Sequence, residues 1–254
     1  MRNPLDQQQL KPSGCPNSYF DAGRRAAAEP NLAIARQRWL EVTADDLQTC
    51  MFESGLAVEL AQSIKNIPLV LRTSNRRKLA EFRRFGLALN AESGADLAEV
   101  DGTPEEVVKY KALAAGPGVL VEDTSLDVEG YSAGVNIRWL LDTMMAKMRA
   151  EPGLPAPRAV WRVMMAVHYQ GRMFVAGAAV EGRLIAERRG EGFSFDCYFI
   201  PQGQTLTLGE LDLLGKKDDV SARRSAVTNL LNGHCAFQAT SELAPWLGAY
   251  QESN

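Results

Sequence analysis

The spacing of apolar positions changes character near residue 66. From about Asn31 to Ile64, Leu32, Ile34, Trp39, Leu40, Leu47, Met51, Leu56 and Leu60 recur at intervals that predict two helices, preceded by a polar tail with prolines at 4, 12 and 16. Beyond residue 66 the pattern becomes strand, loop, helix. IPLVLRTSN (67–75) is an apolar run ending in a polar turn, and RRKLAEFRRFGL (76–87) is a basic amphipathic helix. The chain therefore divides into an extension, 1–66, and a folded unit, 67–254.

Within that unit the signals alternate. In DGTPEEVVKYKALAAG (101–116), Thr103 is placed to cap a helix, Pro104 to open it, Glu106 to complete a capping box and Gly116 to stop it. Val119, Leu120 and Val121 read as a buried strand running directly into Glu122 and Asp123. A helix is expected from about Ile137 to Met148, then a loop with prolines at 152, 155 and 157. WRVMMAVHY and RMFVAGAAV, separated by Gln170 and Gly171, predict a hairpin, with RLIAERR (183–189) continuing the meander. The expected class is α/β, a long mixed sheet flanked by helices.

Composition narrows the function classes. The 254 residues are 46% hydrophobic and 23% charged, enough for a sizeable core. With 28 basic against 31 acidic side chains the formal net charge is −3, so there is no electrostatic footprint of a nucleic-acid binder, and a phosphate ligand must be held by local charge. Cys15, Cys50, Cys197 and Cys235 lie far apart with no C-x-x-C pair, which argues against a zinc site or a disulfide framework and for a reducing compartment. No apolar run approaches about 18 residues, and the opening MRNPLDQQQLKPSG lacks a signal-peptide core. A cytoplasmic protein with no membrane partner is expected.

Candidate chemistry sits at the strand exits. The turn bearing Thr73, Ser74 and Asn75 opens a helix whose free N–H groups could seat phosphate oxygens, with Lys78 one turn in; equally, Ser74 or Asn75 could simply cap that helix. Glu99, Glu122 and Asp123 are expected at strand ends, where gathered carboxylates beside a phosphate seat suit a hard cation such as Mg²⁺; alternatively the last two cap a turn through Thr124 and Ser125 or pair with arginines. In GEGFSFDCYFIP, Phe193 and Phe195 could stack on a base with Asp196 accepting from it, or could be ordinary strand packing. Lys216, Lys217, Arg223 and Arg224 cluster about a helix start, as a phosphate-binding group or a solvated terminus. His168 and His234 fall in no motif, and Met144, Met145 and Met148 read as core or dimer surface.

Taken in order, T-S-N-x-x-K (73–78), E-V-D-G-T-P-E-E (99–106), V-L-V-E-D-T-S-L (119–126), I-R-W-L-L (137–141), G-F-S-F-D-x-x-F-x-P (192–201) and K-K-D-D-V-S-A-R-R (216–224) resemble the inosine triphosphate pyrophosphatase family across roughly residues 67–232. The resemblance implies two lobes about a substrate cleft, and Mg²⁺-dependent hydrolysis of purine, including non-standard, nucleoside triphosphates to monophosphate and pyrophosphate. It also implies a homodimer. By the same likeness Thr73, Ser74, Asn75, Lys78 and Lys217 contact phosphates, Glu99 and Glu122 lie near Mg²⁺, and Asp123 orients or deprotonates the attacking water. Phe193 stacks on the base, Asp196 contacts it, and Ser221 and Arg223 are the outer members of a Ser-His-Arg signature. Ala222 replaces that histidine, Asp218 an asparagine, and Arg138 a lysine. These departures put base choice in question and leave a second reading, a nucleotide-binding protein without turnover.

Overall fold

The computed structural model describes residue 62 and residues 69–73, 75–92 and 97–251. The helices expected between positions 31 and 64, apart from Gln62, and the candidate residue Ser74 lie outside the described residues. In order, the elements are β1 (Leu69–Arg72), α1 (Arg76–Arg84), β2 (Leu89–Glu92), α2 (Pro104–Ala115), β3 (Val119–Val128), β4 (Tyr131–Gly134), α3 (Ile137–Ala150), β5 (Arg158–Tyr169), β6 (Arg172–Leu184), β7 (Phe199–Pro201), α4 (Leu208–Leu213), α5 (Ala222–Leu231) and β8 (Ala236–Ala239). The strands form an 8-stranded sheet in the order β2-β1-β3-β5-β6-β7, with β4 also beside β3 and β8 beside β6. No described helix is long and apolar enough to cross a membrane.

The sheet is mixed, as expected. β1 pairs in parallel with β2 and β3, and the pairs from β3 onward are antiparallel. The hairpin turn at Gln170 and Gly171 has φ of 48° and 73°, the left-handed pair that a two-residue turn needs to match strand twist. The meander ends sooner than its sequence suggested. RLIAERR adds no new strand: β6 stops at Leu184, and the antiparallel partners on its far side are the short β7 and β8. β3 also runs further than expected, through Val128, because Thr124 to Val128 pair with Val163 to Ala159 of β5. Glu122 and Asp123 are thus in mid-strand rather than at a strand exit.

That extension creates the feature around which the site is built. On one edge β3 pairs with β5 along most of its length, Leu120 to Val128. On its other edge it meets β1 only at Val119 and Leu120, and β4 only from Leu126. Between them, residues 121–125 face no described strand, so the sheet has a notch where β1 stops. The phosphate-loop candidate, Thr73 and Asn75, leaves β1 beside this notch.

Alternation along β3 sends successive side chains to opposite faces. Leu120, Leu126 and Val128 join the main core, which packs Phe82 of α1, Met144 and Met145 of α3, Ala226 and Leu230 of α5, and Trp161 of β5. Val121 faces the other way, onto Val108 and Ala112 of α2 and Met164 of β5. Helix α2 starts with the expected capping box: Thr103 accepts from the Glu106 amide at 3.2 Å while the Glu106 carboxylate accepts from the Thr103 amide at 2.8 Å. Gly116, at φ 92°, ends it.

Helix α1 is fixed by Phe82, which is fully buried and also carries the Arg223 guanidinium 5.7 Å from its ring centroid. Phe82→Ala is expected to lower stability in urea unfolding by about 3–5 kcal/mol. A loss below about 1 kcal/mol would show that α1 is held by its polar ends instead.

Candidate active site

Two clusters of charge flank β3 at the notch. On the main-core face lies Glu122, whose side chain is 3% exposed. Its Oε2 accepts from Lys78 Nζ at 2.6 Å, and its Oε1 from Thr124 Oγ1 at 2.6 Å and from Arg223 at 3.1 Å. Arg223 is also paired with Glu81 of α1. Glu81 reaches Lys217 at 3.4 Å, and Lys217 reaches Asp196 at 2.8 Å. The result is a continuous chain of alternating charge, from Asp196 through Lys217, Glu81, Arg223 and Glu122 to Lys78. Burial opposes ionisation of Glu122, but Lys78 and Arg223, helped by the Lys78 and Thr124 hydrogen bonds, outweigh it and hold the carboxyl far below the usual carboxylate range.

On the α2 face lies Asp123, one residue along and therefore on the opposite side. Lys111 of α2 is paired with Glu99 and lies 3.7 Å from Asp123 Oδ1. Asp123 Oδ2 is buried and has no hydrogen-bond partner. Burial pushes the Asp123 carboxyl up to about 7; Lys111 counters this only in part, and Glu99 adds to it. Burial works against the Lys111 charge, yet the adjacent Asp123 and Glu99 raise its pKa.

The expected site residues thus fall into groups. Lys78, Glu122, Lys217, Asp196 and Arg223 come together on one face; Glu99 and Asp123 come together on the other. The three acids do not form one cluster, and no group of three metal-ligating side chains occurs among the described residues. Glu99 is not at a strand end: β2 stops at Glu92, and Glu99 precedes a single bridge between Val100 and Tyr250. Asn75 caps α1, accepting from the Arg77 and Lys78 amides at 3.0 and 3.3 Å, and Thr73 Oγ1 accepts from the Asn75 amide at 3.1 Å. Those amides are already partnered, so the capping alternative describes Asn75. Ser221 likewise caps α5 by accepting from the Arg224 amide at 3.3 Å.

The aromatic block is not a strand. Ser194, at φ 55°, opens a 3₁₀ turn, Ser194–Cys197, which points its two phenylalanines in different directions. Phe193 is 56% exposed, whereas Phe195 is 4% exposed and packs edge-on against Trp161 and Phe199. Phe195 therefore has no face left for a base, a correction to its expected role; Phe193 does. Asp196 accepts from the Phe193 amide at 3.2 Å. Ala222 is fully buried in the main core, and Arg138 is exposed with its guanidinium 4.6 Å from the Trp139 ring centroid. Asp218 has turned outward to a bidentate pair with Arg84, at 2.5 and 2.7 Å.

Sequence reasoning missed Glu81 and Lys111. Glu81 lies three residues after Lys78 and so shares its helix face, and Lys111 lies three and four residues after the apolar Val108 and Val107, on the buried side of α2. Both spacings were visible, but a lone charged residue at helical spacing is ordinarily a solvated one.

Against known proteins, the model of the Ham1 family matches residues 69–233. The chain belongs to the Ham1 family. Among its relatives, the inosine triphosphate pyrophosphatase of Giardia intestinalis is 31% identical over 176 residues, covering 63% of this chain and 89% of that one. The dITP/XTP pyrophosphatase of Methanothermobacter marburgensis is 34% identical over 173 residues, covering 57% and 84%. The fold matches a HAM1 protein from Coxiella burnetii with a TM-score of 0.56 at 22% identity, over 65% of this chain and 96% of that one. The match to the Staphylococcus aureus Ham1 protein has a TM-score of 0.53. Ham1 membership thus rests on the segment that contains both charge clusters.

The two clusters respond differently to mutation and pH. Arg223→Ala leaves Glu122 and Glu81 short of a cation and is expected to cost about 3–5 kcal/mol in urea unfolding, against under about 1 kcal/mol for the exposed Arg224→Ala. Asp123 has a folded pKa raised above its ordinary 3.8, so its contribution to stability is fully present below about pH 4 and is lost as pH rises through about 7. Asp123→Asn should therefore be more stable than the unaltered protein at pH 8, by on the order of 1–3 kcal/mol, with the gap closing toward pH 4. Parallel stability curves would show that Asp123 is not strained by burial.

Proposed function

We propose that this Ham1 chain hydrolyses purine nucleoside triphosphates, non-standard ones included, to the monophosphate and pyrophosphate with Mg²⁺. The observation that carries this reading is Asp123: a buried carboxyl at the notch, titrating near neutrality, with Oδ2 unpartnered and lysines on both sides of its strand. The names of the relatives point the same way.

The reaction needs a base for water and positive charge for the triphosphate. Asp123 takes the proton from water on Oδ2, the carboxylate oxygen that no protein donor occupies. The water oxygen forms the new bond to the α-phosphorus, the bridge to the β-phosphate breaks, and pyrophosphate departs with the displaced electron pair. Lys78 and Lys217 exchange their carboxylate partners for phosphate oxygens, and Lys111 neutralises the acids behind the base. Glu122, left by Lys78, stays paired with Arg223 and acts by holding that guanidinium in place. The exposed face of Phe193 receives the base, with Asp196 beside it.

The donor set on the α2 face fits a hard divalent cation. Glu99 and Asp123 gather on one lysine, and Asp123 offers an oxygen that nothing else satisfies. Those two residues would hold Mg²⁺, which when bound supplies neutralising charge for the triphosphate oxygens. Glu122, paired on the other face, fits that role less well. The catalytic unit is proposed as residues 67–254, with 1–66 an appended extension, and the protein as a cytoplasmic homodimer.

A second reading, nucleotide binding without turnover, draws on the observation that Lys78 and Lys217 are already engaged with carboxylates. Pyrophosphate release from standard and deaminated nucleoside triphosphates with Mg²⁺ separates the two. Release is expected, greatest for a deaminated purine, and Asp123→Asn should reduce kcat by about 10²–10⁴-fold. Tight nucleotide binding with no release from any member of the panel would establish the second reading instead.

A further inference from the structure

The match to the Ham1 family ends at residue 233, but the described chain continues to Gln251, and its last stretch returns to the site. Val100 pairs antiparallel with Tyr250, its one bridge among the described residues. The Gln251 amide donates to the Glu99 carbonyl at 2.8 Å, the Asp101 amide to the Ala249 carbonyl at 2.9 Å, and the Gln251 side-chain amide to the Val100 carbonyl at 3.1 Å. The backbone on both sides of Glu99's neighbour is thereby pinned to the C-terminal segment.

Packing reinforces those bonds. Val100 is buried with Val107 and Val135, and Tyr110 and Trp246 close over them. The two rings are 5.1 Å apart, Tyr110 donates to the Ala244 carbonyl at 2.7 Å, and the Trp246 indole donates to the Ala249 carbonyl at 2.9 Å. The indole fits only because glycines flank it: a Cβ on Gly102 would lie 3.0 Å from the ring, and one on Gly248 would lie 2.6 Å from it. Glu99, so fixed, pairs with Lys111, which in turn faces Asp123.

We infer that residues 243–251 form a positioning strap that holds Glu99 against Lys111 and Asp123, and so sets the affinity of the α2-face site for a divalent cation. The inference rests on the proposed reading of Glu99 and Asp123 as cation ligands. Trp246 and Gln251 touch no reacting atom; they act through the backbone of 99–101. Partners that orient a ligating carboxylate are worth about 10–100-fold in metal affinity when removed.

The test uses the full chain without nucleotide, titrated with Mn²⁺ by calorimetry, alongside urea unfolding and the Mg²⁺ dependence of pyrophosphate release. Trp246→Ala is expected to weaken Mn²⁺ about 10-fold and to raise the Mg²⁺ needed for half-maximal rate in step, with a smaller fall in kcat. Trp246→Phe, which keeps a ring over Val100, should restore most of the affinity. Gln251→Ala, too small a change to unfold the domain, should move affinity in the same direction by a few-fold. If Glu99→Gln loses Mn²⁺ binding while Trp246→Ala and Gln251→Ala keep it, the strap is overturned and the site reading stands. If the loss in Trp246→Ala merely follows the unfolded fraction and Gln251→Ala shows none, the strap is again overturned. If the unaltered protein binds no Mn²⁺, or Glu99→Gln leaves binding unchanged, the site reading fails and the strap inference falls with it.

Discussion

Burying the charge of Glu122 is the constraint on which the rest of the site depends. An ionised carboxylate taken out of water costs several kcal/mol unless it is paired and hydrogen-bonded, and Glu122 sits in mid-strand in the sheet. It is stabilised by Lys78 from α1, Arg223 from α5 and Thr124 from its own strand. Those contacts fix where two helices must lie. Glu81 then follows, because Arg223 lies between two acids and Lys217 adds the next positive charge. Removing an interior member leaves the neighbours on both sides buried with one partner fewer, which couples the members of the chain to one another.

The consequence for chemistry is a division of labour between the two faces of one strand. Residues 122 and 123 are adjacent in sequence yet experience opposite electrostatics. Glu122, between two cations, stays ionised far below neutrality, whereas Asp123, buried beside Glu99 with one lysine near it, holds its proton to about pH 7. Pairs of acids pushed apart in this way are what acid–base chemistry at neutral pH requires. No described strand covers that edge of β3 between β1 and β4, so the notch lies open beside both residues.

Ham1 membership and the C-terminal segment bear on different parts of this arrangement. The family match contains both charge clusters, and the segment beyond it contacts the stretch that carries Glu99 and helix α2 beside it. Glu122 is secured by side-chain ion pairs, which are directional and local. Glu99 lies outside the regular strands, so its placement depends on backbone pairing with Tyr250 and on the Trp246 ring. The two acids are thus supported in different ways, one by side-chain ion pairs and the other through its backbone.

The sequence by itself determined the elements whose causes are local. The capping box at Thr103, the stop at Gly116, the hairpin at Gln170 and Gly171, and the helix beginning at Ile137 all follow from residues within one or two turns of each other. It also determined which motifs belong together, since their order identified the family. Only the tertiary structure decided which face each acid occupies, because that depends on the register of β3 against β5 and on where β1 ends. The same holds for Phe195, which alternation placed beside Phe193 but which the left-handed Ser194 turns into the core. Glu81 and Lys111 became legible only when their long-range partners were in place. Helical spacing says which side of a helix a charge is on, whereas the energy of burying it depends on groups that lie far away along the chain.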